Sequence, residues 1–117
     1  MKDQLTELCV DVVPDGAGAT VVLAGEIDLA TAPELQARLE VLIDATTGDV
    51  ALDVARVTFL DSTGLHVIAL AHQRLRDGCR QLRVSNPATR VRRVLELSGM
   101  ARLLEVERRS PAADTPA

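Results

Sequence analysis

Short runs of strand-forming residues alternate along this chain with longer segments of helical periodicity. Residues 20–24, 50–55 and 81–85 are rich in branched apolar side chains, and a helical segment follows each of them. Strands joined through helices pair in parallel, because the crossover returns the chain to the same end of the sheet. With further strands at residues 8–13 and 103–106, the order β-β-α-β-α-β-α-β predicts an α/β fold with a mixed sheet of about five strands and helices packed against it.

The first helix is predicted from the residues that open it. Thr31 and Glu34 have the spacing of a capping box, and Pro33 lies in the first turn, where a missing N–H leaves no hydrogen bond unmade. The segment before it, residues 25–30, is predicted as a loop. Thr47-Gly48 ends the helical pattern.

The other helices are predicted from their closing residues as much as from their apolar faces. A second helix is expected from about residue 63 to 76, with Gly78 in the left-handed conformation after it. A third is expected to begin at Asn86-Pro87 and to end at Gly99.

Length and composition restrict the class of protein. The 117 residues suit one domain, expected over residues 1–107, with a disordered tail at 108–117. A net charge of −4 and a single aromatic residue, Phe59, argue against direct nucleic-acid binding. Neither a membrane span nor a signal peptide is visible, so a cytoplasmic protein is expected. Cys9 and Cys79 are expected to be free thiols, buried or half-buried.

The most informative segment is Phe59-Leu60-Asp61-Ser62-Thr63-Gly64-Leu65, in which an apolar strand runs directly into the start of a helix. The first turn of a helix has free backbone N–H groups and the positive end of the helix dipole. A phosphate on Ser62 would therefore be tolerated by the fold. From residue types alone, a plain N-cap role for Asp61 or Ser62 is the more frequent case.

Three segments together resemble a known family. In chain order they are Gly25-Glu26-Ile27-Asp28, Asp61-Ser62-Thr63-Gly64-Leu65 and Leu97-Ser98-Gly99-Met100. Over about residues 5–107 the chain resembles the STAS domain family, and within it the bacterial anti-sigma factor antagonists of the SpoIIAA type. The resemblance implies a protein that is not an enzyme, needs no cofactor or metal, and is monomeric when free. Its implied partners are an anti-sigma factor serine kinase with a histidine-kinase-like ATPase fold and a phosphatase of the PP2C type.

The resemblance also implies roles for individual residues. Ser62 would be the phosphoacceptor whose modification switches the antagonist off, with Thr63 as a less favoured second hydroxyl. His66 stands where many relatives carry glycine, and it places a bulkier, titratable group at i+4 from Ser62. The implied partner surface consists of Glu26, Asp28, Asp61, Thr63, Gly64 and His66.

Other functions remain open at this point. A hydrolase built on Ser62 and His66 lacks the G-x-S-x-G elbow, and a serine and histidine on one helical turn rarely align for proton transfer. A zinc site from the two histidines and two cysteines lacks standard ligand spacing. The same fold also serves as a non-phosphorylated adaptor subunit of lipid-handling ABC transporters and as a stress-signalling scaffold. In such an adaptor, Ser62 would be a cap or a contact residue.

Overall fold

The computed structural model describes residues 8–106, which form a five-stranded mixed sheet with helices between the parallel strands. The strands lie in the sheet in chain order, β1 pairing antiparallel with β2 and all later pairs being parallel. The predicted α/β fold and five-stranded mixed sheet are thereby confirmed. The elements are β1 (Cys9–Asp15), β2 (Gly18–Ile27), α1 (Ala32–Ala45), β3 (Val50–Leu60), α2 (Ser62–Asp77), β4 (Leu82–Ser85), α3 (Thr89–Leu97), α4 (Met100–Leu103) and β5 (Glu105–Val106).

The core lies between the sheet and the apolar faces of the helices. Along β3, Val50, Leu52 and Val54 are buried, whereas the alternate residues Ala51 and Asp53 are only half-buried. This period of two is the pattern of a strand that is fully covered on one face. The helical residues buried in the same cluster are Leu35, Leu39 and Ile43 of α1, Val67, Ile68, Ala71 and Leu75 of α2, and Val91 and Leu95 of α3.

Two strands continue through residues that normally interrupt strands. β2 extends to Ile27, so residues 25–27, predicted as loop, pair with β3 instead. Gly25 adopts φ +119°, and the pairing register shifts on either side of it, as in a bulge. The loop prediction was wrong there because a bulge keeps the strand paired.

Strand β1 forms one edge of the sheet and includes a proline, Pro14. Proline lacks the backbone N–H, so it is tolerated on an edge strand. Asp11 and Asp15 are exposed on the same strand, and Arg38 Nη2 donates to the Val10 carbonyl at 3.1 Å. The edge strand thus carries two exposed carboxylates, lacks one backbone N–H at Pro14 and has the Val10 carbonyl covered by Arg38. Each of these features hinders pairing with a strand of another molecule.

The helix ends differ in detail from the predictions. Thr31 occupies the N-cap position of α1, but its side chain makes no capping hydrogen bond, and the predicted capping box with Glu34 does not form. After α2, Gly78 has φ −97° and Cys79 takes the left-handed conformation at φ +61°. Helix α3 begins at Thr89, later than the predicted Asn86, and ends at Leu97, close to the predicted Gly99, which is left-handed at φ +84°.

Further corrections concern the cysteines and the end of the described chain. Cys9 and Cys79 are both free but exposed, so the expected burial was wrong. Residues 100–103 form α4, and the last strand begins at Glu105 instead of Leu103. A four-residue helix spans barely one turn, so its apolar residues show no period in the sequence. The predicted tail at residues 108–117 lies outside the described residues.

Candidate functional site

The ends of β2 and β3 bring the sequence-predicted residues to one place. Ile27 pairs with Leu60, and the Asp61 N–H donates to the Ile27 carbonyl at 3.3 Å. This hydrogen bond holds the start of α2 beside the loop that follows β2. Because the two strands are parallel, both segments lie at their carboxyl ends, the edge of an α/β sheet where ligand sites form.

Asp61 caps α2 and organises its first turn. Its backbone is extended, and its Oδ1 accepts hydrogen bonds from the N–H groups of Thr63 at 3.0 Å and Gly64 at 3.1 Å. The Thr63 hydroxyl donates to the same oxygen at 2.5 Å. The expectation of free N–H groups at this turn is therefore wrong for Thr63 and Gly64, because the Asp61 carboxylate already occupies them.

The same contacts set the protonation of Asp61. The hydrogen bond from the Thr63 hydroxyl is the main reason that the pKa of the Asp61 carboxyl lies below its ordinary value of 3.8. The N–H groups of Gly64 and Thr63 lower this pKa further, and partial burial opposes them. Asp61 is thus a fixed negative charge next to Ser62.

We expect Asp61→Ala to lower the free energy of unfolding by about 1 kcal/mol near neutral pH, the usual loss for an N-cap. Since the folded-state pKa is lowered, this contribution is present above the ordinary pKa and is lost as the pH falls through the folded value. Urea unfolding at about pH 7 and about pH 3 should therefore show the gap between wild type and Asp61→Ala closing in acid.

The matched variant for this test is Asp61→Asn, which keeps an oxygen acceptor and removes the charge. Its loss of stability near neutral pH should be smaller than that of Asp61→Ala. A gap between wild type and Asp61→Ala that stays the same at both pH values would contradict the charged-cap interpretation.

The two neighbouring hydroxyls of this turn differ in availability. Ser62 is exposed, and its hydroxyl makes no hydrogen bond with any residue in the described range 8–106. Thr63 is half-buried, and its hydroxyl is engaged with Asp61. Of the two hydroxyls, that of Ser62 is therefore the accessible one.

Gly64 lets α2 approach the sheet closely. A Cβ at this position would lie 2.5 Å from Leu60 Cδ1 and 2.7 Å from Ile27 Cγ2, well inside van der Waals contact. Gly64 is also buried. Its contribution to the site is to seat the first turn of α2 against the two strand ends, which fixes the position of Ser62.

Asp28 holds the neighbouring loop in shape. Its Oδ1 accepts from the N–H groups of Ala30 at 3.0 Å and Thr31 at 3.1 Å. The Thr31 hydroxyl, buried beneath this loop, donates to the Glu26 carbonyl at 2.8 Å. This loop presents Leu29, which is 74% exposed. Part of the hydrogen-bonding capacity of Asp28 is thus used within its own loop.

A groove of about 290 Å³ lies beside Ser62, between the starts of α1 and α2. Ser62 and His66 both line it, as their i, i+4 spacing implies. Sequence reasoning missed its apolar part; the available signal was Leu29, an apolar residue within a polar loop. The groove's other lining residues are Leu29, Ala32, Pro33, Gln36, Thr63 and Val67.

The alternative chemistries can be compared with this geometry. Asp61 Oδ1 accepts from Thr63 and Gly64, and within residues 8–106 no hydrogen bond joins Asp61 to a histidine as a catalytic triad would require. His72 is half-buried and lines a different cavity from His66. Within residues 8–106, no three His, Cys, Asp or Glu side chains are placed to hold a metal ion together. In the same range, no helix has the length and apolar character needed to cross a membrane.

Comparison with known proteins gives concordant results. The family model described as STAS domain matches residues 11–113. A protein of Listeria monocytogenes named anti-sigma-B factor antagonist is 32% identical over 87 residues, covering 74% of this chain and 76% of the relative. An anti-sigma factor antagonist from Mycobacterium paratuberculosis superposes with a TM-score of 0.74 at 25% identity, over 92% of each chain. SpoIIAA in its unphosphorylated form also gives a TM-score of 0.74, at 21% identity, over 91% of this chain and 94% of that one.

Proposed function

This chain belongs to the STAS domain family, and from that premise we propose that it is an anti-sigma factor antagonist switched by phosphorylation of Ser62. The name of the Listeria relative, at 32% identity, supports the first part. The observation that carries the second is the exposed Ser62 hydroxyl, free of hydrogen bonds to described residues, on the rim of an apolar groove.

In this proposal, the unmodified protein binds an anti-sigma factor serine kinase with a histidine-kinase-like ATPase fold and thereby frees its sigma factor. The kinase phosphorylates Ser62, and a phosphatase of the PP2C type restores the hydroxyl. The antagonist is itself not an enzyme, needs no cofactor and acts in the cytoplasm as a monomer until it meets its partner.

The proposed docking surface is the groove together with its polar rim. Leu29 is largely exposed, and burying such a side chain against a partner contributes roughly 1.5–3 kcal/mol. The rim includes His66, and Asp61 directly precedes the lining residue Ser62; Asp28 and Thr63 stabilise the segments that form the rim. Glu26 is half-buried on β2 opposite Phe59 and does not line the groove; its carbonyl accepts from the Thr31 hydroxyl and so supports the loop that carries Leu29.

The switch follows from the charge already present at this turn. A phosphate on Ser62 adds about 1.5–2 negative charges at neutral pH. Its neighbour Asp61 is ionised and already accepts the N–H groups of Thr63 and Gly64. The phosphate therefore lacks those donors, and a partner that covered the site would have to desolvate two adjacent anions.

Intact-mass spectrometry after incubation with ATP and the candidate anti-sigma kinases of the same genome tests this proposal. We expect one phosphate on the wild type and none on Ser62→Ala. Thr63→Val, which removes the engaged hydroxyl and keeps Ser62, should still accept the phosphate. A phosphate that persists on Ser62→Ala would reject the assignment. If no kinase modifies the wild type, the adaptor function is favoured, with Ser62 as a contact residue only.

A further inference from the structure

A second cavity, of about 340 Å³, lies at the opposite end of α2 and is surrounded by cationic side chains. From Ser62 to Arg76 the helix rises about 21 Å, so this cavity is separate from the phosphoacceptor site. Helix α2, the loop before β4, and α4 each supply arginine to it. The principal lining residues are His72, Arg76, Arg80, Gln81, Arg102 and Leu103.

Arg80 is a fixed part of the cavity wall. Its Nε donates to the Gly48 carbonyl at 2.7 Å, its Nη1 to the Ile43 carbonyl at 2.9 Å, and its Nη2 to Thr46 Oγ1 at 2.6 Å. These acceptors are neutral, so the guanidinium is held in place without its charge being neutralised. A guanidinium has five N–H donors, and three are used here, which leaves two.

Arg76 and Arg102 complete the cationic lining. Both are exposed, and neither pairs with a carboxylate of residues 8–106. The dipole of α2 accounts for a cation at Arg76, in the last turn, but not for Arg80 or Arg102, which lie on other elements. Among the residues that the structure describes, no carboxylate lines the cavity, although the chain as a whole has a net charge of −4.

We propose that this cavity is a binding site for a small phosphate-bearing anion. Guanidinium groups match phosphate oxygens in geometry and charge, and a concave surface of one sign concentrates the opposite ion. The volume lies within the range of small-ligand sites. Leu82 and Leu103 provide an apolar wall for whatever the phosphate is attached to. The bound anion would offset the mutual repulsion of three clustered guanidinium groups.

Calorimetric titration of the full chain with inorganic pyrophosphate, at low ionic strength and neutral pH, tests this site. We expect saturable binding of one anion per chain. Arg76→Ala and Arg102→Ala should each weaken it roughly tenfold, the size of one lost charge-assisted hydrogen bond. Arg80→Ala is avoided, because it would also remove three hydrogen bonds that hold the loops around Gly48.

The matched controls are Arg90→Ala and Arg93→Ala, which remove the same charge from exposed positions of α3 outside the cavity. They should change the affinity by no more than about twofold. Equal weakening by the controls would show that net charge attracts the anion, and would overturn the site. Failure of the wild type to saturate at millimolar pyrophosphate would overturn it as well.

Discussion

Ser62→Asp is expected to weaken the complex with the anti-sigma factor about a hundredfold or more, whereas Ser62→Ala should bind as the wild type does. The added carboxylate would lie beside Asp61, whose own charge is fixed by Thr63 and the first turn of α2. Like charges brought together at an interface can cost several kcal/mol, and about 3 kcal/mol already corresponds to a hundredfold loss of affinity. Surface plasmon resonance with the purified anti-sigma factor would measure both variants.

The control for this prediction is Thr89→Asp. Thr89 is exposed in the first turn of α3, so the variant adds the same charge in a similar helical position away from the groove. It should bind within about twofold of the wild type. If Ser62→Asp binds as tightly as the wild type, the electrostatic switch is wrong. If Thr89→Asp weakens binding as strongly, the effect reports net charge and not the site.

Gly18→Ala is expected to produce the largest loss of stability among the changes considered. A Cβ on Gly18 would lie 1.9 Å from the Asp49 carbonyl oxygen, which belongs to the backbone and cannot rotate away. Two hydrogen bonds hold that backbone in place. The Ala19 N–H donates to the Asp49 carbonyl, and the Gly48 N–H donates to the Ala17 carbonyl. We expect a loss of about 3 kcal/mol, at the upper end for overpacking. The thermal midpoint should fall by about 10–20 °C.

Gly78→Ala is the comparison for this loss. Gly78 has φ −97°, and a Cβ there would meet nothing closer than 3.5 Å. Alanine is therefore accommodated, and the reduced freedom of the unfolded chain should leave stability unchanged or raise it by about 0.5 kcal/mol. Differential scanning calorimetry measures the thermal midpoints of both variants. If Gly18→Ala unfolds at the same temperature as Gly78→Ala, the close approach at Gly18 is relieved by movement of the strand ends.

The sequence predicted the features that depend on local pattern. Strands and helices have different hydrophobic periods, so their alternation along the chain can be recognised in the sequence. That alternation predicts the α/β fold and the mixed sheet. The segment from Asp61 to Gly64 was correctly placed at the start of α2, because acidic and hydroxyl residues after an apolar strand are typical of an N-cap.

Features that depend on tertiary contacts were not predictable in the same way. The strand character of Gly25 depends on pairing with Val57, which no local signal encodes. Thr31 and Glu34 have the right spacing for a capping box, but the Thr31 hydroxyl oxygen accepts from the Asp28 N–H at 3.0 Å instead of from the Glu34 N–H. Which of the Ser62 and Thr63 hydroxyls remains accessible depends on one local hydrogen bond, from Thr63 to Asp61, which is decided by side-chain rotamers.

The edge strand β1 affects the concentration that this protein can reach without associating edge to edge. An antagonist that acts by occupying its partner works stoichiometrically, so it must reach a concentration comparable to that of the partner. Growth of the sheet from one copy to the next is hindered at β1: Pro14 has no N–H to donate, Arg38 already covers the Val10 carbonyl, and Asp11 and Asp15 of adjoining copies would repel. Edge-to-edge growth of the sheet through β1 is therefore disfavoured at the concentration that a stoichiometric antagonist must reach.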